Sequence, residues 1–202
     1  MATDLSPRHL YESRNSKRLV TEEWLERKIE TLNIKFRYFL TLSFTYQQRN
    51  VLNQYLDNQH IKKVILDFFY PNRKPNNRIR LWFFTEPHSS GALHLHIFME
   101  GMDGLSWLSK NNRKITINKR TLFDIVARDF SMDDVMTEAL TNHLQRYIRK
   151  LGYGKQSVDW KSIGNIKHRL HYVNKSLSSV DFDGWQHIDY ETSDLGELTN
   201  GR

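Results

Sequence analysis

Apolar and polar residues alternate along several short stretches of this chain, and such alternation predicts β-strands. The first strand is predicted over 36–45, where aromatic residues are frequent. A turn containing proline, serine and glycine over 87–91 separates two more predicted strands, Arg80–Glu86 before it and a histidine-containing strand after it. Shorter strands are expected at Lys114–Asn118 and Ser157–Ile163.

Apolar residues that recur at helical spacing predict helices between these strands. Thr21 followed by two glutamates is typical of a helix start, because acidic side chains favour the first turn. The expected helices are Thr21–Asn33, Gln47–Phe69, Thr121–Phe130, Asp133–Leu151 and Asn165–Ser178. Hairpins and helices in this order predict an α+β fold, with helices packed on a central antiparallel sheet.

The strand after the turn contains His94-Leu95-His96. Successive side chains of a strand point to opposite faces, so both histidines share one face and Leu95 lies on the other. A five-residue turn would pair Glu86 with Ala92, which also lies on the histidine face. Two imidazoles and a carboxylate suit Mn²⁺ or Mg²⁺ in an open site, and Zn²⁺ is the other candidate. Alternatively, a chain with nine histidines places two at this spacing by chance.

Tyr172 lies on the polar side of the last predicted helix, with His168 and Lys175 on the same face. A tyrosine can act as a nucleophile when a nearby cation stabilises its phenolate, so Lys175 could assist Tyr172. Tyr147 has the same Tyr-x-x-Lys spacing but lies within the apolar stripe of its own helix, which favours a core position. The other interpretation of Tyr172 is a half-exposed surface residue. The apolar stripe opposite it consists of Ile166, Leu170, Val173 and Leu177.

Charge is unevenly distributed along the 202 residues. Residues 181–202 hold six acids and one base, so this tail carries −5 and residues 1–180 carry +12 of the total of +7. A body this basic favours a polyanionic partner such as nucleic acid. The acidic tail is expected to be a solvated end, or else to compete with DNA for the basic surface. We therefore expect a flexible basic segment over 1–18, one domain over 19–180, and a tail over 181–202.

The composition excludes some classes of protein. The chain has no cysteine, which rules out disulfides and thiolate metal sites. No apolar stretch reaches the length of a membrane span, and the first residues lack a signal-peptide pattern. These features favour an intracellular protein without a membrane partner.

Three short motifs in this order resemble those of the HUH endonucleases, specifically the single-tyrosine replication initiator (Rep) proteins of rolling-circle plasmids, phages and small single-stranded DNA viruses. Phe39-Leu40-Thr41-Leu42-Ser43 resembles the first Rep motif. His94-Leu95-His96, with Glu86 as the acidic ligand, resembles the second. Tyr172-Val173-Asn174-Lys175 resembles the third.

The resemblance implies an antiparallel sheet of about five strands with a split βαβ, ferredoxin-like or RRM-like core. It implies that a divalent metal, Mn²⁺ or Mg²⁺, is held by Glu86, His94 and His96. Tyr172 would attack a phosphate of single-stranded DNA at an origin hairpin, forming a 5′-phosphotyrosine and a free 3′-OH, while Lys175 stabilises charge. The residues expected to hold the DNA are Thr41, Ser43, His168 and Arg169.

The expected partners are the origin DNA and a host helicase and polymerase, because Gly152-Tyr153-Gly154-Lys155 lacks the spacing of a nucleotide-binding loop. The expected compartment is a bacterial cytoplasm, or a nucleus for a eukaryotic virus. Three alternatives remain open. One is a transposase or mobilisation nuclease with the same chemistry, and another is a zinc hydrolase. The third is a non-enzymatic RRM-like binder that stacks bases on the exposed aromatic residues Phe39, Trp82, Phe84 and Phe98.

Overall fold

A computed structural model describes residues 7–43, 54–70, 79–87, 93–101, 116–117, 120–121, 132–150, 157–175 and 187–195. The helices within these ranges are α1 (Pro7–Thr31), α2 (Gln54–Phe69), α3 (Met132–Lys150) and α4 (Ile166–Asn174). The strands are β1 (Phe36–Ser43), β2 (Leu81–Pro87), β3 (Leu93–Glu100), β4 (Thr116–Ile117), β5 (Arg120–Thr121) and β6 (Ser157–Ser162). No helix in these ranges is long and apolar enough to cross a membrane.

The main sheet is antiparallel and has the strand order β2-β3-β1-β6. The short strands β4 and β5 pair only with each other, as a separate two-stranded sheet. The prediction of an α+β fold with an antiparallel sheet is therefore confirmed. A fifth strand of the main sheet is not found in the described part of the chain, so the expected number of strands is not confirmed.

Both faces of the sheet are apolar, and each packs against a pair of helices. Leu40, Leu95 and Ile97 belong to one face and lie in a buried cluster with residues of α2 and α3. The other face includes Phe39 and Phe98 and packs with residues of α1 and α4. Strands buried on two sides read as nearly continuous apolar runs, which is why β1 and β2 contain so few polar residues.

Helix α1 begins at Pro7, inside the segment over 1–18 that was expected to be loosely ordered. Its polar composition conceals a helix because ion pairs such as Arg18–Glu22, with nitrogen and oxygen 3.6 Å apart, join successive turns. The helix predicted over Thr121–Phe130 lies mostly outside the described residues, and Thr121 itself belongs to β5.

Residues 187–195, part of the expected acidic tail, pack along the free edge of β2. Ile188 and Leu195 are buried in the same cluster as the aromatic residues of the sheet. Asp189 is also fully buried and accepts a hydrogen bond from the side chain of Asn58 on α2, 2.8 Å away. The expectation of a solvated end is therefore wrong for these residues, because their carboxylates accept hydrogen bonds inside the fold.

Candidate catalytic site

The β2–β3 hairpin places Glu86 opposite His94, whereas the sequence predicted Ala92 at this position. The difference is two residues along β3, so the alternation of faces is preserved. Glu86, His94 and His96 consequently lie on the same face of the sheet, as predicted. On the other side of β3, strand β1 places Thr41 opposite His96 and Ser43 opposite His94.

The imidazole of His96 is held from three directions and is only 1% exposed. Its Nδ1 lies 3.1 Å from the hydroxyl of Thr41, and its Nε2 lies 3.0 Å from Oε2 of Glu86. The ring also stacks on Phe39, with centroids 5.3 Å apart and an interplanar angle of 16°. Packing and hydrogen bonds together leave the imidazole a single orientation.

Glu86 connects His96 to Lys175, whose Nζ lies 3.3 Å from Oε1 of the carboxylate. Burial by itself would raise the pKa of Glu86. The hydrogen bond and charge of His96, together with the charge and hydrogen bond of Lys175, outweigh that effect and lower the pKa below its ordinary value. Glu86 is therefore a carboxylate that two cationic or hydrogen-bonding partners keep ionised.

Helix α4 presents Tyr172 to this group. Its first turn is capped by Asn165, whose side chain accepts a hydrogen bond from the backbone of His168 at 3.2 Å. Leu170 and Val173 are buried against the sheet, which leaves Tyr172 38% exposed on another side of the helix. This agrees with the helical-wheel argument that separated Tyr172 from the core stripe.

The ring of Tyr172 meets two side chains of the sheet edge-on. Its centroid lies 5.8 Å from that of His96 and 6.2 Å from that of Phe39. The Nζ of Lys175 is 4.0 Å from the centroid of the tyrosine ring, which is cation–π distance. The structure thus brings Tyr172, Lys175, Glu86 and His96 into one contiguous group.

Other predicted site residues lie around this group. The guanidinium of Arg169 lies over the Phe39 ring, 5.3 Å from its centroid, and His168 is exposed on the first turn of α4. Within the described residues, no group of three or more histidine, aspartate or glutamate side chains is arranged to hold a metal ion. The three-ligand metal site and the DNA contacts of Thr41, Ser43, His168 and Arg169 stay predictions.

The aromatic residues suggested as a base-stacking platform are buried. Trp82, Phe84 and Phe98 have no exposed surface, and Phe39 is 3% exposed. They pack under α1 and α4 and would have to lose these helices before a base could reach them. That route to a non-enzymatic RRM-like binder is therefore wrong for this sheet.

Two residues next to the site were missed by the sequence analysis. Asn174, within the Tyr-x-x-Lys motif, is fully buried, and His187 lies in the supposed tail but is 7% exposed. Their side chains form a hydrogen bond of 2.7 Å between Oδ1 of Asn174 and Nε2 of His187. A polar residue between two apolar positions of α4 was the available signal for Asn174, whereas nothing local indicated His187.

Comparisons with known proteins give one finding. Residues 37–178 match a family of replication-associated proteins, described as the ORF2 type. No curated protein and no solved structure matches the chain. The matched region spans β1 to the end of α4, and so includes Glu86, His96, Tyr172 and Lys175.

Proposed function

We propose that this chain, which belongs to the ORF2-type family of replication-associated proteins, nicks and rejoins single-stranded DNA at a replication origin through Tyr172. The family is one of rolling-circle replication initiators, so the chain is a Rep protein. The nicking chemistry is our inference. The observation that carries it is the contact of Tyr172 with His96, at 5.8 Å between ring centroids, beside the Lys175–Glu86 pair.

The proposed reaction is a transfer of a phosphodiester from DNA to tyrosine. A bond forms between Oη of Tyr172 and phosphorus, and the bond from phosphorus to the 3′-oxygen breaks. The phenolic proton of the reactant is balanced by the proton of the released 3′-hydroxyl. The products are a 5′-phosphotyrosine and a 3′-OH that can prime synthesis, and attack by a 3′-OH reverses the step and rejoins a strand.

Lys175 has two features that suit this reaction. Its ammonium lies against the tyrosine ring, where positive charge favours the phenolate form of the nucleophile. It is also exposed, so a DNA phosphate can approach it. The basic body of the chain favours the same substrate, because phosphate contacts position DNA without reading its sequence.

The donor set fits a divalent cation such as Mn²⁺ or Mg²⁺. Nε2 of His96 and Oε2 of Glu86 are 3.0 Å apart, close to the roughly 3 Å expected between adjacent ligands with metal bonds of about 2.1 Å. His94 faces Glu86 across the hairpin and would be the third ligand. A cation bound by these residues would supply Lewis-acid polarisation of the scissile phosphate. Thr41 keeps the His96 ring in place.

The fold supports the same assignment. The chain order β1-α2-β2-β3-α3-β6 and the sheet order β2-β3-β1-β6 are those of a split βαβ arrangement. We propose that these elements form the ferredoxin-like core of a single-tyrosine HUH nuclease. A host helicase and polymerase would then act at the nicked origin.

The test is covalent capture on labelled origin-derived single-stranded DNA with Mn²⁺. Wild-type protein should form an adduct resistant to denaturation, and Tyr172→Phe should form none while still binding the DNA. Tyr147→Phe is the matched control, because Tyr147 has the same motif spacing but packs against the other face of the sheet. An adduct that survives in Tyr172→Phe, or is lost in Tyr147→Phe, would show that another residue is the nucleophile.

A further inference from the structure

The segment over 187–195 completes the edge of β2, and its first residue reaches the tyrosine helix. The outward backbone groups of Leu81, Phe83 and Thr85 would otherwise be unpaired, as on any edge strand. Their amides donate to Asp194 Oδ2 at 3.0 Å, to Ser193 Oγ at 2.8 Å and to the carbonyl of His187 at 2.8 Å. Each outward N–H of these three residues thus has a partner in the segment.

The carbonyls of the same three residues are paired as well. The backbone amides of Asp194 and Asp189 donate to Leu81 at 2.9 Å and to Phe83 at 3.1 Å. The carbonyl of Thr85 instead faces a side chain, Nδ1 of His187, at 3.1 Å. At the end of β2 next to Glu86, an imidazole therefore takes the place of the backbone.

The same imidazole contacts α4 through its second nitrogen. Nε2 of His187 lies 2.7 Å from Oδ1 of Asn174. The amide nitrogen of Asn174 donates to the carbonyl of Leu170 at 2.9 Å, which identifies Oδ1 as the acceptor toward His187. Both side chains are buried, so water does not compete strongly for this bond.

The position of this link in the chain gives it a consequence for catalysis. Thr85 directly precedes Glu86, and Asn174 directly precedes Lys175. His187 therefore connects the backbone that carries the carboxylate to the helix end that carries the lysine and, three residues before that lysine, Tyr172. Its distance to each partner fixes how the two halves of the site face each other.

The segment itself is anchored away from the site. On α2, Asn58 donates to Asp189 at 2.8 Å and Lys62 pairs with Asp194 at 2.7 Å. Thr192 also donates its backbone amide to Asp189, at 2.9 Å. A support fixed on α2 can hold α4 in position without moving when DNA contacts Tyr172.

We propose that His187 is a positioning residue for the Tyr172 nucleophile, acting through Asn174, and that residues 187–195 are a working part of the catalytic domain. This rests on the proposed function of Tyr172. The segment lies beyond the family match, which ends at residue 178. The link of His187 to α4 runs through Asn174, so its effect on Tyr172 is one of orientation.

The experiment compares His187→Asn, His187→Gln and Asn174→Ala with wild type. A glutamine amide nitrogen reaches the place of Nε2 and can still donate to Asn174, whereas the shorter asparagine reaches only Thr85. At saturating DNA and Mn²⁺, the single-turnover adduct rate should fall about 10- to 100-fold in His187→Asn and Asn174→Ala, since small misplacements of a nucleophile have effects of that size. His187→Gln should retain most of the rate, and DNA affinity should be unchanged in all three variants.

Hydrogen exchange on DNA-free protein gives a readout independent of nicking. Amides of 170–175 should exchange about five- to tenfold faster in His187→Asn and Asn174→Ala, the factor expected for one lost hydrogen bond, with β1 and β3 unaffected. Equal losses in His187→Gln and His187→Asn, or faster exchange throughout the sheet, would overturn the proposal in favour of a general structural role. If wild type forms no adduct, the proposed function fails, and the exchange result alone decides whether His187 orders α4.

Discussion

Replacing Thr41 by valine tests how His96 is oriented. The hydroxyl of Thr41 lies 3.1 Å from Nδ1 of His96, and valine preserves the shape of threonine while removing that partner. If the hydroxyl accepts the proton of Nδ1, the lone pair of Nε2 is directed toward Glu86 and toward any cation held there. Without the hydroxyl, the neutral ring can adopt the other tautomer and offer a proton where a metal ligand is needed.

The size of the effect follows from what remains around the ring. Outer-shell partners of metal-binding histidines are typically worth about 10- to 100-fold in metal affinity. His96 keeps its stacking on Phe39 and its burial, so the ring stays in place and only the tautomer preference changes. We therefore expect the lower end, about tenfold weaker Mn²⁺ binding, which corresponds to about 1.4 kcal/mol.

The assay is calorimetric titration of Mn²⁺ into DNA-free Thr41→Val, Thr41→Ser and wild-type protein. Thr41→Ser keeps the hydroxyl and should bind Mn²⁺ within about threefold of wild type, since it removes only a methyl group. Thermal unfolding of the metal-free proteins checks that valine leaves the fold intact. Equal Mn²⁺ affinity in Thr41→Val and wild type would refute the argument that this hydroxyl selects the tautomer.

Three further predictions concern charge and the tail segment. Lys175→Met should bind Mn²⁺ about two- to fivefold more tightly without DNA, because a half-exposed ion pair with Glu86 is worth only about 0.2–1 kcal/mol; weaker binding in calorimetry would show that Lys175 does not oppose the metal. Because the pKa of Glu86 is lowered from 4.5, its charge stabilises the metal-free fold above that pH and the contribution is lost as the pH falls below it. The difference in unfolding free energy between wild type and Glu86→Gln should therefore shrink from about pH 6 to about pH 3, and a constant difference would contradict the pKa direction. Asp189→Ala removes the acceptor of Asn58 and Thr192 and should lower the unfolding free energy by about 2–4 kcal/mol in urea denaturation; a loss below about 1 kcal/mol would show that water replaces the carboxylate.

The hairpin shows how far periodicity reaches. Alternation placed Glu86, His94 and His96 on one face, because the side-chain period of a strand is two and any slip by two residues preserves it. It did not determine the register, which pairs Glu86 with His94 and not with Ala92. Register depends on the geometry of the turn and on packing against β1, and alternation specifies neither.

The acidic segment shows the opposite case. Its charge suggested a solvated end, yet Asp189 and Asp194 accept hydrogen bonds from α2 and β2, over 100 residues away in the chain. Composition indicates whether a side chain can be charged, and not whether a distant lysine or backbone amide will lie beside it. The partners of such residues emerge only when the edge of β2 and α2 meet.

By itself, the sequence determined the α+β class, the faces of the hairpin and the polar side of α4, because each follows from local spacing of 2 or 3.6 residues. Only the tertiary structure decided that Tyr172 lies against His96, that Lys175 pairs with Glu86, and that His187 joins β2 to α4. The physical reason is that spacing specifies which way a side chain points along its own element. What it meets there depends on which elements pack together, and that is settled by burial and hydrogen bonding across the whole chain.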